Sequence, residues 1–524
     1  MYAERRAPAM PTIPVWSIAT LLVTIALVGG AVWYVASRPG AAPRKYQREL
    51  PVASATAFET GGTPIRDEAI EKLLRNELTE LVVDGNKTGA NDRGKVLAKL
   101  RSPSALADRP ALAKAWATAM TAFEHALDIA AQGGPKGRDN DDLGEAIREL
   151  ANAFIKAGLG YHIEGRFKRR FPIIQAYRVE QVVFVTTNAS PRRVLSLRRL
   201  DRLNMTWAVL GMHDEDAGDP TLHLDRIDVN VASFVLPVLS GGRPYPLGDR
   251  EWMLWPQNAK MASAIGDAVR REYVAALGPD GTVAQQIADL LVKRAAIIDE
   301  WRDKLGRKDL SFISTDELFV SESLLDALAD SVPSYQRTKV IELDHDLAEL
   351  DASRIHSQIH ELVAATVRRH EAQHGFDFDR DAELRYPPPL EALAGAPRDR
   401  EGNARPVASS ARLELSAYLS QVINDPMTPH AALWHLARNV FTRGGWSTGE
   451  FYAGLVVIEG LAQQLGLDTD TPRRKKGELD RDRLSAFATR IAALSDDQLR
   501  AEAKKLWTSL YAEPPITIVD SPSR

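Results

Sequence analysis

Two histidines four residues apart, with a glutamate directly after the first, give this sequence its clearest chemistry. They lie in the stretch Thr366-Val-Arg-Arg-His370-Glu371-Ala-Gln-His374-Gly375. On an α-helix, residues i and i+4 are one turn apart in height and about 40° apart in azimuth, so both imidazoles can reach one ion. Glu371 projects about 100° from His370, beside that ion rather than onto it, where a carboxylate can take a proton from an activated water. The spacing of Ile355, Ile359, Leu362, Val363 and Thr366 predicts one continuous helix that ends near Gly375, a favourable residue just past a helix end. A tetrahedral catalytic zinc takes three protein ligands and keeps one position open. Glu414, in the helical pattern of Leu413, Ala417 and Val422, can supply the third ligand from a following helix. Asp377 is the rival ligand. It falls at or past the predicted helix end, and is expected to orient an imidazole or to sit in a polar loop.

These residues resemble the zincin metallopeptidases, and within them the gluzincin-like group, whose third ligand is a glutamate on a following helix. The resemblance covers about residues 360–425 and is carried by His370, Glu371, His374 and Glu414. It implies a single zinc, a water held between the metal and Glu371, and hydrolysis of a peptide bond in a peptide or protein substrate. It also implies a cleft between a zinc-bearing helical half and a flanking strand. Two features depart from the pattern. The stretch rich in strand formers lies more than a hundred residues before the motif, with Val340 to Leu343 as the one nearby candidate. Tyr418 stands four residues after Glu414, where the family often has an aspartate. In this reading Glu371 is the general base, and Tyr418, on the same helix face as Glu414, is the candidate oxyanion stabiliser, ahead of His430 and His435.

The elements that must position these groups follow from the rest of the chain. It has 524 residues, of which 44% are hydrophobic and 26% charged, with a formal net charge of −4. These are globular values, without the basic footprint of a nucleic-acid-binding protein. Cysteine is absent, which excludes disulfides, thiolate zinc sites and cysteine nucleophiles. After a short basic tail at 1–12, the 24 uncharged residues from Ile13 to Ala36 predict a single membrane-spanning helix. Trp16 lies near one end, and Trp33 and Tyr34 near the other. A short basic tail before one span favours a single-pass membrane protein whose body is extracytoplasmic. Residues 37–62 read as a linker, and 63–159 as a helical region with apolar stripes such as Ile70, Leu73, Leu74 and Leu78. Residues 160–256 read as a β-rich unit, with strands at Val179 to Thr187, Val194 to Leu200, Met205 to Met212 and Ile227 to Leu239. Helical periodicity returns over 257–512, the zinc-peptidase-like domain, before a tail at 513–524. The expected fold class is therefore α+β, with an N-terminal transmembrane helix, a helical region, a β-rich unit and a mostly helical C-terminal zincin-like domain.

Other patterns compete for attention. Gly89-Ala-Asn-Asp-Arg-Gly94-Lys95 imitates a phosphate loop, but Val96 stands where Ser or Thr would hold magnesium. Gly445-Trp-Ser447-Thr-Gly449 fits a nucleophile elbow, yet no histidine follows it. Ser447 with Glu450 reads instead as a capping box. His356 and His360 repeat the four-residue spacing about 21 Å along the same helix and are expected on a solvated face. Arg192, Arg193, Arg198, Arg199 and Arg202 form a basic patch expected on a solvated sheet. Together the residues point to a membrane-anchored zinc-dependent metallopeptidase. The competing class is a non-catalytic, membrane-anchored envelope interaction protein whose metal site is structural, degenerate or absent. The intact Glu371 favours the enzyme, because a structural site has no use for that base.

Overall fold

The computed structural model describes residues 57–87, 97, 100–135, 141–168, 170–187, 191–201, 210–212, 218–241, 259–305, 318–321, 325–326, 328–380, 385–441, 447–469 and 479–520. Helix α1 runs from Glu68–Lys72 through a π turn at Leu73–Glu77 into Leu78–Lys87, with the Asp67 carboxylate accepting from the backbone of Ala69 and Ile70 at its start. Helices α2 (Pro110–Ala131) and α3 (Asp141–Lys156) follow. Their apolar stripes, including Ile70, Leu74, Trp116, Met120 and Phe154, form one core with Ile163 and Ile174 of the sheet. A proline at the first position of α2 gives up only an amide that a helix end leaves unpaired anyway.

The sheet has strands β1 (Tyr161–Lys168), β2 (Phe171–Thr187), β3 (Arg192–Arg199), β4 (Gly211–Met212), β5 (Thr221–His223) and β6 (Ile518–Asp520). Their order is β1-β2-β3-β5-β4, and β6 pairs with β2. All pairs are antiparallel except β3 with β5. The long β2 pairs with β1 through its first half and with β3 through its second, with a bulge between Val179 and Gln181 that bends the ladder. Asn424 guides β6 into place: its amide donates to Ile516 O and its carbonyl accepts from Ile518 N, both at 3.0 Å.

The fold class expected from the sequence is corrected here. The described chain is mostly helical with one curled sheet, and among the described residues no helix is long and apolar enough to cross a membrane. The span expected at 13–36 lies outside the described residues. The run from Ile227 to Leu239 is not a strand. Helix α4 (Leu224–Asn230) continues through a π turn at Val231–Val235 into Leu236–Leu239. Val231, Phe234, Val235 and Val238 are buried in the large core. An apolar run buried on all sides carries no period that separates strand from helix, and tertiary burial overrides the β-branched preference. Val340 and Leu343 likewise belong to a helix.

After α5 (Ala259–Ala276), α6 (Gly281–Leu305) and α7 (Ser334–Glu349) comes α8 (Ala352–Asp379), which carries the histidine motif. It is followed by α9 (Pro406–Asn424), α10 (Pro429–Phe441), α11 (Gly449–Gln464), α12 (Arg481–Ile491) and α13 (Asp496–Tyr511). Ile355, Ile359 and Val363 of α8 share one core with Leu415 and Leu419 of α9, Leu455 of α11 and Trp507 of α13. Val194 and Leu222 of the sheet belong to the same core, so α8 lies between the helices and the strands.

Candidate metal centre

Helix α8 does not stop near Gly375; it continues to Asp379. The glycine serves a close approach instead. A Cβ at Gly375 would lie 2.4 Å from Nη1 of Arg192. That arginine comes from β3, lies over the Phe376 ring at 4.8 Å and pairs with Asp379. Helices α8 and α9 run antiparallel and are tied at both ends of the motif. Thr366 Oγ1 donates to Asp425 Oδ2 at 2.6 Å, and Ser416 Oγ donates to Asp377. Asp425 also accepts from the backbone of Met427 and Thr428, which fixes the turn into α10.

Between these ties the structure brings together His370, His374 and Glu414. The two Nε2 atoms are 3.0 Å apart, His370 Nε2 is 3.6 Å from Glu414 Oε2, and His374 Nε2 is 3.8 Å from Glu414 Oε1. Ligand atoms at about 2.0–2.1 Å from a tetrahedral zinc are about 3.3 Å from one another. The donor types and their spacing therefore fit one such ion. Electrostatics agree with the geometry. Burial holds His370 well below the usual histidine value and brings His374 down to about 4, so both rings are neutral, the form that ligates. Burial, then the charges of Glu450 and Glu371, push the Glu414 carboxyl well above its usual range. A cation among these atoms reverses that cost.

Glu371 lies beside these three candidate ligands, 5% exposed, and burial pushes its carboxyl up to about 8. Gly211 of β4 sits directly on it. A Cβ there would lie 2.5 Å from Glu371 Cγ, so only glycine lets the strand come so close. The strand flanking the motif is thus the short edge strand β4, delivered by the fold from far upstream. Tyr418 packs edge-on against His370, with ring centroids 4.5 Å apart. Burial, reinforced by Glu414 and Glu450, raises its hydroxyl well above the usual value and keeps it a proton donor.

The other sequence candidates make different contacts. His430 faces away: its Nε2 is 3.0 Å from Leu494 O. It converges with Glu272 and Asp496 in a second group of possible ligands. The Glu272 oxygens there are taken by the backbone amides of His430 and Ala431, so Glu272 acts as a cap for α10. His435 packs against Phe234, with ring centroids 4.9 Å apart. His356 and His360 are not solvated: the first is buried, and the second lies 3.0 Å from Asp228 Oδ1. The arginine patch is neutralised strand by strand, with Arg193 on Asp219, Arg198 on Asp228 and Arg199 on Asp201. Arg202 and the loop at 89–95 lie outside the described residues. Thr448, not Ser447, caps α11 by accepting from Phe451 N at 3.2 Å.

Asp377 is helical and buried; it binds the Gln373 amide within α8 at 2.8 Å, and its bond with Ser416 joins α8 to α9 rather than orienting an imidazole. Burial pushes its carboxyl up to about 7. The folded chain therefore holds this proton more tightly than the unfolded chain does. That stabilisation is complete below about pH 4 and is lost as the pH rises to about 7. Asp377→Asn, which keeps one acceptor oxygen and offers an amide that the Ser416 hydroxyl can accept from, should remove a fall in folding stability across that range, on the order of 3 kcal/mol. Urea unfolding at several pH values measures it; an unchanged slope would assign the titration to another group.

Comparison with protein-family models, with curated proteins and with solved structures finds no match to this chain. Three residues at the site were not read from the sequence. Gly211 carried no signal, because its contact is set by the return of the sheet. Glu450, which acts on Glu414 and Tyr418, was read only as part of a cap. Gln421 did carry a signal: it lies seven residues after Glu414, on the same face of α9.

Proposed function

We propose that this chain is a zinc-dependent metallopeptidase that hydrolyses peptide bonds. The observation that carries the reading is the convergence of His370 Nε2, His374 Nε2 and the Glu414 carboxylate, with Glu371 buried beside them and not among them. A zinc ion held by these three groups supplies a Lewis acid for a carbonyl oxygen and acidifies water to a pKa of about 7. Glu371 takes the proton of the attacking water and later delivers it to the leaving amine. Tyr418 donates to the oxygen on which negative charge develops. Gly211 of β4 and the walls of α8 and α9 keep bulk water from the Glu371 carboxylate, which strengthens every charge interaction there.

The purified protein should retain about one zinc per chain after dialysis and cleave an unfolded protein substrate. A chelator should abolish cleavage, and stoichiometric zinc should restore it. Cleavage that survives complete removal of metal would defeat the proposal, as would a zinc-loaded protein with no hydrolytic activity on any peptide.

A further inference from the structure

Helices α8 and α9 are locked in register by the bond from Thr366 to Asp425. His370 lies four residues after Thr366, and Gln421 lies four residues before Asp425. In an antiparallel pair, one turn along each helix from a bonded contact puts the two side chains at the same level on facing stripes. Glu414, Tyr418 and Gln421 share that stripe on α9. Glu414 is 3.6 Å from His370 Nε2, and the Tyr418 ring packs on the imidazole. Gln421 remains for the other edge. His370 Nδ1 and Gln421 Oε1 are both buried and neither has a hydrogen-bond partner at normal distance, while Gln421 lies close enough to raise the ring's affinity for a proton. One is a donor when Nε2 ligates; the other is an acceptor.

We infer that Gln421 is a positioning residue for the metal centre: its Oε1 accepts the Nδ1 proton of His370, which selects the tautomer with Nε2 free to ligate. The inference rests on the zinc reading above and adds a carboxamide where a carboxylate more often orients a ligating histidine. A neutral acceptor suits this site. Glu371 is buried beside the half-buried Glu414 and already repels it, and a third carboxylate against the same ring would add to that repulsion.

The test is zinc affinity by competition with a metal-binding dye, on the full chain, for wild type, Gln421→Leu and Gln421→Glu. Loss of an orienting partner costs about 10–100-fold in metal affinity. Gln421→Leu should fall in that range, with an unchanged circular dichroism spectrum. Gln421→Glu keeps an acceptor of similar reach and should bind zinc at least ten times more tightly than Gln421→Leu. Nitrogen NMR of the zinc-loaded wild type should show His370 protonated at Nδ1 with a hydrogen-bonded shift that is lost in Gln421→Leu. Wild type that binds zinc no more tightly than Gln421→Leu would overturn the role of Gln421 alone, as would a Glu variant as weak as the Leu variant. Wild type that binds no zinc would overturn the metal reading, and this inference with it. A Leu variant that fails to fold leaves the comparison of wild type with Gln421→Glu and the Nδ1 signal of the wild type to decide.

Discussion

Replacing Glu371 with glutamine should leave zinc bound and lower kcat by about 10²–10⁴-fold, the usual contribution of a positioned acid or base. The substitution keeps the shape of the side chain, which matters because Gly211 presses on it from β4. The proposed ligand atoms are His370 Nε2, His374 Nε2 and the Glu414 carboxylate, and none is touched. The amide cannot take a proton from water, so the loss should fall on kcat rather than on KM. The fold should not suffer. Burial pushes the Glu371 carboxyl up to about 8, and a neutral amide of the same size avoids that cost. Metal analysis with steady-state kinetics on both proteins checks the expectation. Equal turnover by wild type and variant would end the catalytic reading of this site, whatever its metal content.

The second large effect is expected from His374→Ala. It removes one of three donors and leaves His370 and Glu414, so retention of zinc through dialysis should be lost. The drop in affinity should exceed the roughly 10–100-fold typical of losing a merely supporting partner. Zinc bound only by the native state stabilises that state by mass action, so added zinc should raise the melting temperature of the wild type and not of the variant. The pairing of the two readouts separates loss of a ligand from general damage. A metal-free variant that melts close to the metal-free wild type, with no response to zinc, is the expected pattern. A variant that still binds about one zinc with wild-type affinity would remove His374 from the centre.

The site was legible in the sequence to the extent that it depends on helical periodicity. His370 and His374 face one point because four residues make about one turn, and that geometry needs nothing beyond α8 itself. Glu414 was reachable because α9 also shows a clear stripe and returns antiparallel to α8. Gly375 misled because glycine serves both helix ends and close contacts, and only the presence of Arg192 across it decides between them. The strand expected at Met205 to Met212 includes β4, but its place over Glu371 was hidden for a different reason. β4 is two residues long, and its place over Glu371 is fixed by pairing with β5 and by packing of the sheet on α8, none of which leaves a local trace. The run from Ile227 to Leu239 shows the same limit from the other side. Its β-branched residues fit a strand, but burial among helices made them helical. Asp228 turned His360 inward, where the four-residue spacing had suggested a solvated face.

Strand β6 gives the chain a late step in its own assembly. Its partners are Val185, Thr186 and Thr187 of β2, so these three positions wait for Ile518–Asp520 to leave the ribosome. Until then the growing polypeptide carries an unfilled ladder edge beside its nearly finished helices, a surface that invites pairing with a neighbouring nascent chain. Such distant pairing also slows folding, since loop closure over hundreds of residues precedes any reward. A product cut short just before β6 would keep every proposed zinc ligand yet lack the closing piece of its sheet.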